Sequence, residues 1–235
     1  MTKIFFWNVK RLGKGSDQAR TTAIKTVIKG VSAERYLFCE LTRQCGFPAP
    51  QNLTYRKEDD RQLCYGCLDG ASKTVELDEV TPLVTDAYKQ GGYKGGNDFR
   101  ELTDRAVGHA GKVSGVEIYV IHAKARSSEA EKVMAFLACY LNDLHKTAPW
   151  IAIGDFNVIP EKLRRSQVGV NVNDLMRYTR VSEPTFIGKL SELGRSRVRK
   201  RLDYALTNIT DARVSRIRCS PRLHNSDHFP IVAEW

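Results

Sequence analysis

Eight polar residues, scattered along the sequence, each adjoin a short apolar run. Asn8 follows Ile4-Phe5-Phe6-Trp7, and Glu40 follows Leu37-Phe38-Cys39. His122 follows Ile118-Tyr119-Val120-Ile121. Asp155 and Asn157 lie in Gly154-Asp155-Phe156-Asn157, directly after Trp150-Ile151-Ala152-Ile153. Asp203 lies in Arg201-Leu202-Asp203-Tyr204, and Asp227 and His228 lie in Ser226-Asp227-His228, ahead of Phe229. Apolar runs of this length read as buried strands. Polar groups at the ends of strands are where a rigid scaffold tends to carry its site.

If these ends converge, Glu40, Asp155 and Asp227 crowd together. Two unit charges about 4 Å apart repel by about 4 kcal/mol at an effective dielectric of 20. Three such acids call for a cation or for a retained proton. Oxygen ligands without thiolates favour a hard ion. Magnesium takes one or two carboxylates and keeps waters, which leaves room for a substrate phosphate; manganese and calcium are chemically open too. An aspartate beside a histidine fixes its tautomer and raises its basicity, and Asp203 with His228 is the candidate pair. Metal, amide donors and imidazolium together suit hydrolysis of a phosphodiester, where charge grows on the phosphoryl and leaving oxygens.

Singly, each residue has an ordinary reading. Asn8 and the Gly154-to-Asn157 segment suit turns. Glu40 suits a solvated surface, His122 a satisfied core position, and Asp227 a cap. Asp203 suits a salt bridge to Arg199 or Arg201. The ordered set is what makes the chemical reading the better one.

The elements that must position this set follow from periodicity. Residues 3–9 alternate, with Ile4, Phe6 and Asn8 on one face and Phe5, Trp7 and Val9 on the other, so a strand covered on both sides is expected. Residues 17–30 predict a helix with Ala23, Ile24, Val27, Ile28 and Val31 as its apolar stripe and Ser16 as its cap. Strands are expected at Arg35–Glu40, near 62–68 and 73–77, at Arg105–Ala110 and Val116–His122, and at Trp150–Ile153. Closing strands are expected at Leu202–Leu206, Val214–Arg218 and Phe229–Ala233. Ser128 and Glu131 read as a capping box for a helix carrying Val133, Leu137, Tyr140, Leu141 and Leu144 on one side. Gly91 to Gly96 reads as a loop. With no repeat and no Pro-rich linker, one domain spanning 1–235 is expected. It belongs to the α/β class with sheet-on-sheet packing.

Of the 235 residues, 42% are hydrophobic, enough for a sizeable core. No run approaches the roughly 20 apolar residues that span a bilayer, so membrane insertion is not expected. Met1-Thr2-Lys3 leads straight into a strand-like run without the parts of a signal peptide, and a cytoplasmic location is expected. The six cysteines, Cys39, Cys45, Cys64, Cys67, Cys139 and Cys219, then read as reduced. Cys64 and Cys67 form one C-x-x-C with no second pair to complete a zinc site, and both read as structural. The net charge of +10 favours polyanionic partners without choosing among DNA, RNA and anionic membrane surfaces. A monomer is the expected state.

In order and spacing, the segments around these residues, together with Pro184-Thr185-Phe186, resemble the endonuclease/exonuclease/phosphatase superfamily, the fold of pancreatic deoxyribonuclease. The likeness runs nearly the whole length, with Gly-Asp-Phe-Asn and Ser-Asp-His as its specific parts. It implies a four-layer α/β sandwich: two mixed β-sheets packed face to face with helices outside. It implies that Glu40 binds the metal and that Asp155 and Asp227 bind metal or activate water. Asn8 and Asn157 would orient phosphate and nucleophile. His228, held by Asp203, and His122 would move protons or stabilise the transition state.

Thr42 stands where deoxyribonucleases carry an arginine after the metal-binding glutamate. The acidic partner of their second histidine would here be Asp59 or Asp60. His122 replaces the tyrosine-containing motif of abasic-site endonucleases, and the inositol-phosphatase signature is absent. The likeness is therefore to the general deoxyribonuclease-like group.

The segment Arg195-Ser196-Arg197-Val198-Arg199-Lys200-Arg201 carries five cations in seven residues just ahead of Asp203. Lys162, Arg164 and Arg165 follow the Gly-Asp-Phe-Asn turn. Arg197, Arg199, Lys200 and the more distant Arg105 are expected to contact phosphates, which carry no sequence code. The expectation is a magnesium-dependent nuclease acting on DNA with an activated water and low sequence specificity. The alternatives are a phosphatase or phospholipid phosphodiesterase of the same superfamily, and a catalytically inactive nucleic-acid-binding module.

Overall fold

The computed structural model describes residues 1–12, 18–42, 45, 54–58, 61–80, 107–123, 130–163, 181–188, 199–220 and 226–235. The first sheet has six strands. They are β1 (Lys3–Leu12), β2 (Arg35–Thr42), β3 (Thr54–Glu58), β4 (Arg61–Asp69), β12 (Arg213–Arg216) and β13 (Ile231–Glu234), in the order β12-β13-β1-β2-β4-β3. The second has five: β5 (Asp78–Glu79), β6 (Val107–Val113), β7 (Val116–His122), β8 (Trp150–Asp155) and β11 (Asp203–Thr207), in the order β11-β8-β7-β6-β5. A two-stranded ribbon joins β9 (Phe186–Ile187) to β10 (Arg199–Lys200).

Both large sheets are mixed, and each is built around one parallel pair, β1 with β2 and β7 with β8. A parallel pair needs a crossover. Helix α1 (Gln18–Lys29) lies between β1 and β2 in the chain, and α2 (Ala130–His145) lies between β7 and β8; a short α3 (Pro160–Leu163) follows β8.

Alternation along the strands sorts the core into three layers. Ile4, Phe6, Leu37, Val120, Ile153 and Ile231 pack between the sheets. Phe5, Trp7 and Phe38 face outward under Ile24 and Ile28 of α1. Tyr119, Ile121, Trp150 and Leu206 lie under Met134, Leu137 and Leu141 of α2. Each fully buried side chain of this kind contributes roughly 1.5–3 kcal/mol. The result is the expected sandwich of two mixed sheets with helices outside. Among the described residues, no helix is long and apolar enough to cross a membrane.

Local expectations need correction in places. β1 does not end at Asn8 but runs to Leu12 through a register shift. The segment 73–77 forms no strand: Thr74 makes a single bridge to Leu68, and the chain then crosses to the other sheet, where Asp78–Glu79 pairs with β6. Leu144 keeps the spacing of Leu137 and Leu141 but is 53% exposed, because it stands in the last turn of α2, past the buried Met134, Leu137, Ala138 and Leu141. Cys64 and Cys67 lie three apart in the extended β4, so they address opposite faces of the sheet. Both are buried, and burial pushes the Cys67 thiol up to about 12, which suits a structural residue. Ser16, Ser128, Asp59, Asp60 and the 91–96 loop lie outside the described residues, and so does the side chain of Cys139.

Candidate active site

Strand register does much of the assembly. Across the second sheet, His122 of β7 pairs with Asp155 of β8, and Asp155 pairs with Asp203 of β11, so three chemical groups occupy one rung. Gly154 lets that rung close: a β-carbon there would sit 1.9 Å from the Ile121 carbonyl oxygen. Asn157 turns back immediately after β8. Its N–H donates to Asp155 Oδ1 at 3.0 Å and its Nδ2 to the Ala123 carbonyl at 2.7 Å.

The first sheet supplies the other wall. Asn8 pairs with Cys39, after which both β1 and β2 depart from regular register. At this irregularity Lys10 and Glu40 have φ of 45° and 59°. Bulges re-aim side chains beside functional sites. A left-handed residue with a β-carbon costs about 1–2 kcal/mol and persists only when its surroundings hold it. Here they do: the Arg20 guanidinium donates to the carbonyls of Val9 and Lys10, and the Lys10 N–H donates to Asn8 Oδ1 at 3.0 Å.

All eight expected residues meet where the two walls join. The fully buried Asn8 donates its amide to Glu40 Oε1 at 3.1 Å and to Asp155 Oδ2 at 3.0 Å. His122 Nε2 lies 3.6 Å from Glu40 Oε1 and 3.5 Å from Asp155 Oδ2. His228 Nε2 approaches the same Asp155 oxygen to 3.6 Å and Asp227 Oδ1 to 4.0 Å. On its other side, His228 Nδ1 lies 2.8 and 3.0 Å from the two oxygens of Asp203. The loop carrying His228 is tied to the first sheet. Ser226 Oγ donates to the Asn8 carbonyl at 2.8 Å, and Trp7 Nε1 donates to the His228 carbonyl at 3.0 Å. Phe186 meets the His228 ring edge-on at 5.0 Å.

Thr185, Lys10 and Arg20 belong to this architecture although the sequence reading assigned them no role. Buried Thr185 accepts, through Oγ1, the N–H of Leu202 at 3.0 Å and of Asp203 at 2.9 Å. Thr185→Val keeps the shape and strands two buried donors. A loss of about 2 kcal/mol or more is expected in urea unfolding, with reduced activity as Asp203 shifts. Unchanged stability would contradict this role.

Electrostatics follow from burial. Burial drives the Asp155 carboxyl above the ordinary range; His228 opposes that, the Asp203 charge adds to it, and the Asn8 and Asn157 donors pull it down. Burial alone would lower His228, but Asp203 and then Asp155 outweigh it and hold the imidazole well above its usual value, as a cation at neutral pH. A divalent ion beside Asp155 would reverse that residue's shift. Without metal, both groups bind more protons folded than unfolded, so stability falls as pH rises. The Asp155 contribution falls away between 3.8 and about 7, and the His228 contribution from 6.5 to about 10. In EDTA, melting temperature should therefore drop from about pH 5 to about pH 9, and Asp155→Asn should flatten the lower half of that drop. A parallel pH course in the variant would contradict the assignment.

The basic residues fare differently. Arg105 and Arg197 lie outside the described residues. Arg199 and Lys200 are exposed on β10, close in the chain to Asp203. Lys162 is exposed on α3. Arg201 does not pair with Asp203; it engages Glu161, leaving Asp203 to His228.

Among the described residues, two donor sets could hold a metal. Asp155, Asp203 and His228 offer ligand atoms within 4.8 Å of one another. Ligation through Asp203 would compete with its contacts to His228 Nδ1. Glu40 and Asp155 share the Asn8 amide and offer oxygens at the more open side, a set that fits a hard divalent ion better.

The two mixed sheets packed face to face, with helices outside, form an α/β sandwich. Solved structures with that fold align over 99% of the chain. They include truncated TDP2 of Caenorhabditis elegans (14% identity, 96% of its chain, TM-score 0.60) and D. rerio TDP2 complexed with single strand DNA product (16%, 97%, 0.59). The human Nocturnin catalytic domain with bound sulfate anion is another (16%, 93%, 0.55). Neither a family model nor a curated protein matches the sequence.

Proposed function

We propose that the chain hydrolyses phosphodiester bonds of DNA with water as nucleophile, using a divalent cation, magnesium by preference, held by Glu40. The observation that carries this reading is the surrounding of Asp155. One carboxylate oxygen faces Asn8 Nδ2 at 3.0 Å, His122 Nε2 at 3.5 Å and His228 Nε2 at 3.6 Å. That is a proton acceptor set among groups suited to an anionic transition state.

When bound, the metal supplies Lewis-acid stabilisation of phosphoryl oxygen charge. Asp155 takes the proton of the attacking water. Asn8 fixes the orientation of Asp155 and Glu40, and Asn157 braces Asp155 through its backbone N–H. The His228 imidazolium, oriented by Asp203, donates to a phosphoryl oxygen, and His122 offers a second donor beside Glu40. The joint presence of these groups in one site favours an enzyme over an inactive binding module.

A polyanionic phosphodiester is favoured by the net charge of +10 and by exposed Arg199 and Lys200, with Arg105 and Arg197 as further phosphate contacts. Single-strand DNA product in one structural neighbour and a sulfate anion in another agree with an oxyanion site on this fold.

The purified chain should nick plasmid and degrade single-stranded DNA in magnesium or manganese but not in EDTA. RNA and a phosphoinositide, run alongside, give the contrast. Release of phosphate from the phosphoinositide without nicking would replace this reading by a lipid phosphatase. No turnover of any substrate with either ion would end it.

A further inference from the structure

We propose that Lys10 is a built-in second cation of this site: its ammonium neutralises Asp227, limits the chain to one divalent ion, and takes a non-bridging phosphate oxygen of the substrate. The proposal rests on the phosphodiesterase reading above.

Lys10 Nζ lies 2.9 Å from Asp227 Oδ2, with the lysine side chain 46% and the aspartate 25% exposed. Both side chains are thus open to solvent, within reach of a substrate phosphate. Across His228 Nε2 from Asp227, Glu40 and Asp155 share the Asn8 amide. One divalent ion there leaves the ammonium in place. A second ion would have to displace Lys10 from Asp227, the acid that would hold it.

The backbone argues that this position is not incidental. At φ 45° a glycine or asparagine would be less strained, yet the residue is lysine. Its N–H is bonded to Asn8 and its carbonyl to Arg20, so the strain is held by the same residues that align the acids. A part-exposed ion pair contributes little stability, so loss of the lysine charge should be read in substrate binding rather than in folding. A compact ammonium is suited to a phosphate oxygen as a point charge.

Lys10→Met and Lys10→Asn, the latter suited to the left-handed backbone, remove the charge; Lys10→Arg keeps it. Two quantities are read on the full chain: the number of manganese ions bound, and the affinity for a single-stranded oligonucleotide in EDTA across salt concentrations. Wild type should bind one manganese ion. Both neutral variants should lose affinity on the order of fivefold and reduce the salt slope by about 0.7, while Lys10→Arg stays near wild type. Lys10→Asp should admit a second manganese ion. Two ions in wild type, or unchanged affinity and slope in Lys10→Asn, would overturn the proposal. Failure of wild type to bind manganese at all would overturn the phosphodiesterase reading, and this proposal with it.

Discussion

Replacing His228 by glutamine should lower the turnover of DNA hydrolysis by about a thousandfold while leaving manganese binding nearly unchanged. The imidazole is 6% exposed, held by Asp203 at 2.8 Å, and charged through the neighbouring acids. Its Nε2 faces the same side as Asp155, so it meets charge that develops on the phosphoryl group. Such a group acts chiefly in the transition state, and its loss should appear in kcat more than in KM.

Alanine is the harsher probe, because it also leaves the Asp203 carboxylate buried without its partner, a loss of about 3–5 kcal/mol in comparable pairs. Glutamine retains a donor and separates chemistry from folding. Asp203→Asn should follow in kcat with smaller effect, since it disturbs the orientation of the ring without removing it. A His228→Gln variant within tenfold of wild type would remove His228 from the reaction.

The second large effect is structural. Gly154→Ala places a β-carbon 1.9 Å from the Ile121 carbonyl oxygen, and 2.7 Å from its carbon. Both partners are backbone in the central strands β7 and β8, so neither can swing aside as a side chain would. The parallel pair must open, and the rung joining His122, Asp155 and Asp203 opens with it. Overpacking of this kind costs about 3 kcal/mol, a large share of the 5–15 kcal/mol that holds a typical domain together. Urea unfolding should show the loss. At temperatures where the variant stays folded, activity should fall too, because Asp155 is the next residue along. Wild-type stability and rate in Gly154→Ala would mean that the strands separate far more easily than their register suggests.

Much of this was legible in the residues. Two-fold alternation marked the covered faces of β1, since Phe5, Trp7 and Val9 meet α1 while Ile4 and Phe6 meet the other sheet. The apolar runs ahead of His122 and Asp155 gave both strands, and their registration in one rung follows from parallel pairing. The bulge was not legible. Asn8 and Glu40 read as strand ends because local pattern records burial, not the register shift that leaves Lys10 and Glu40 left-handed. Thr185 stood in the Pro184-Thr185-Phe186 segment that supported the resemblance, but its role as acceptor was not legible, because its partners lie 17 and 18 residues away. The segment 73–77 looked extended, but pairing depends on which sheet edge the chain is heading for. Leu144 fits the helical period of Leu137 and Leu141, but periodicity does not say how far along the helix the core extends, and the last turn of α2 leaves it exposed.

The seating of β13 between β1 and β12 bears on how the protein is made. Trp7 and His228 are 221 positions apart, yet they are bonded. A growing chain has Asn8, Glu40 and Asp155 long before it has the histidine, and β1 must wait for its neighbour on that side. At ordinary translation speeds the interval exceeds roughly ten seconds. Under the proposed function, a ribosome-bound intermediate would lack His228, and activity would switch on only when the late strand docks.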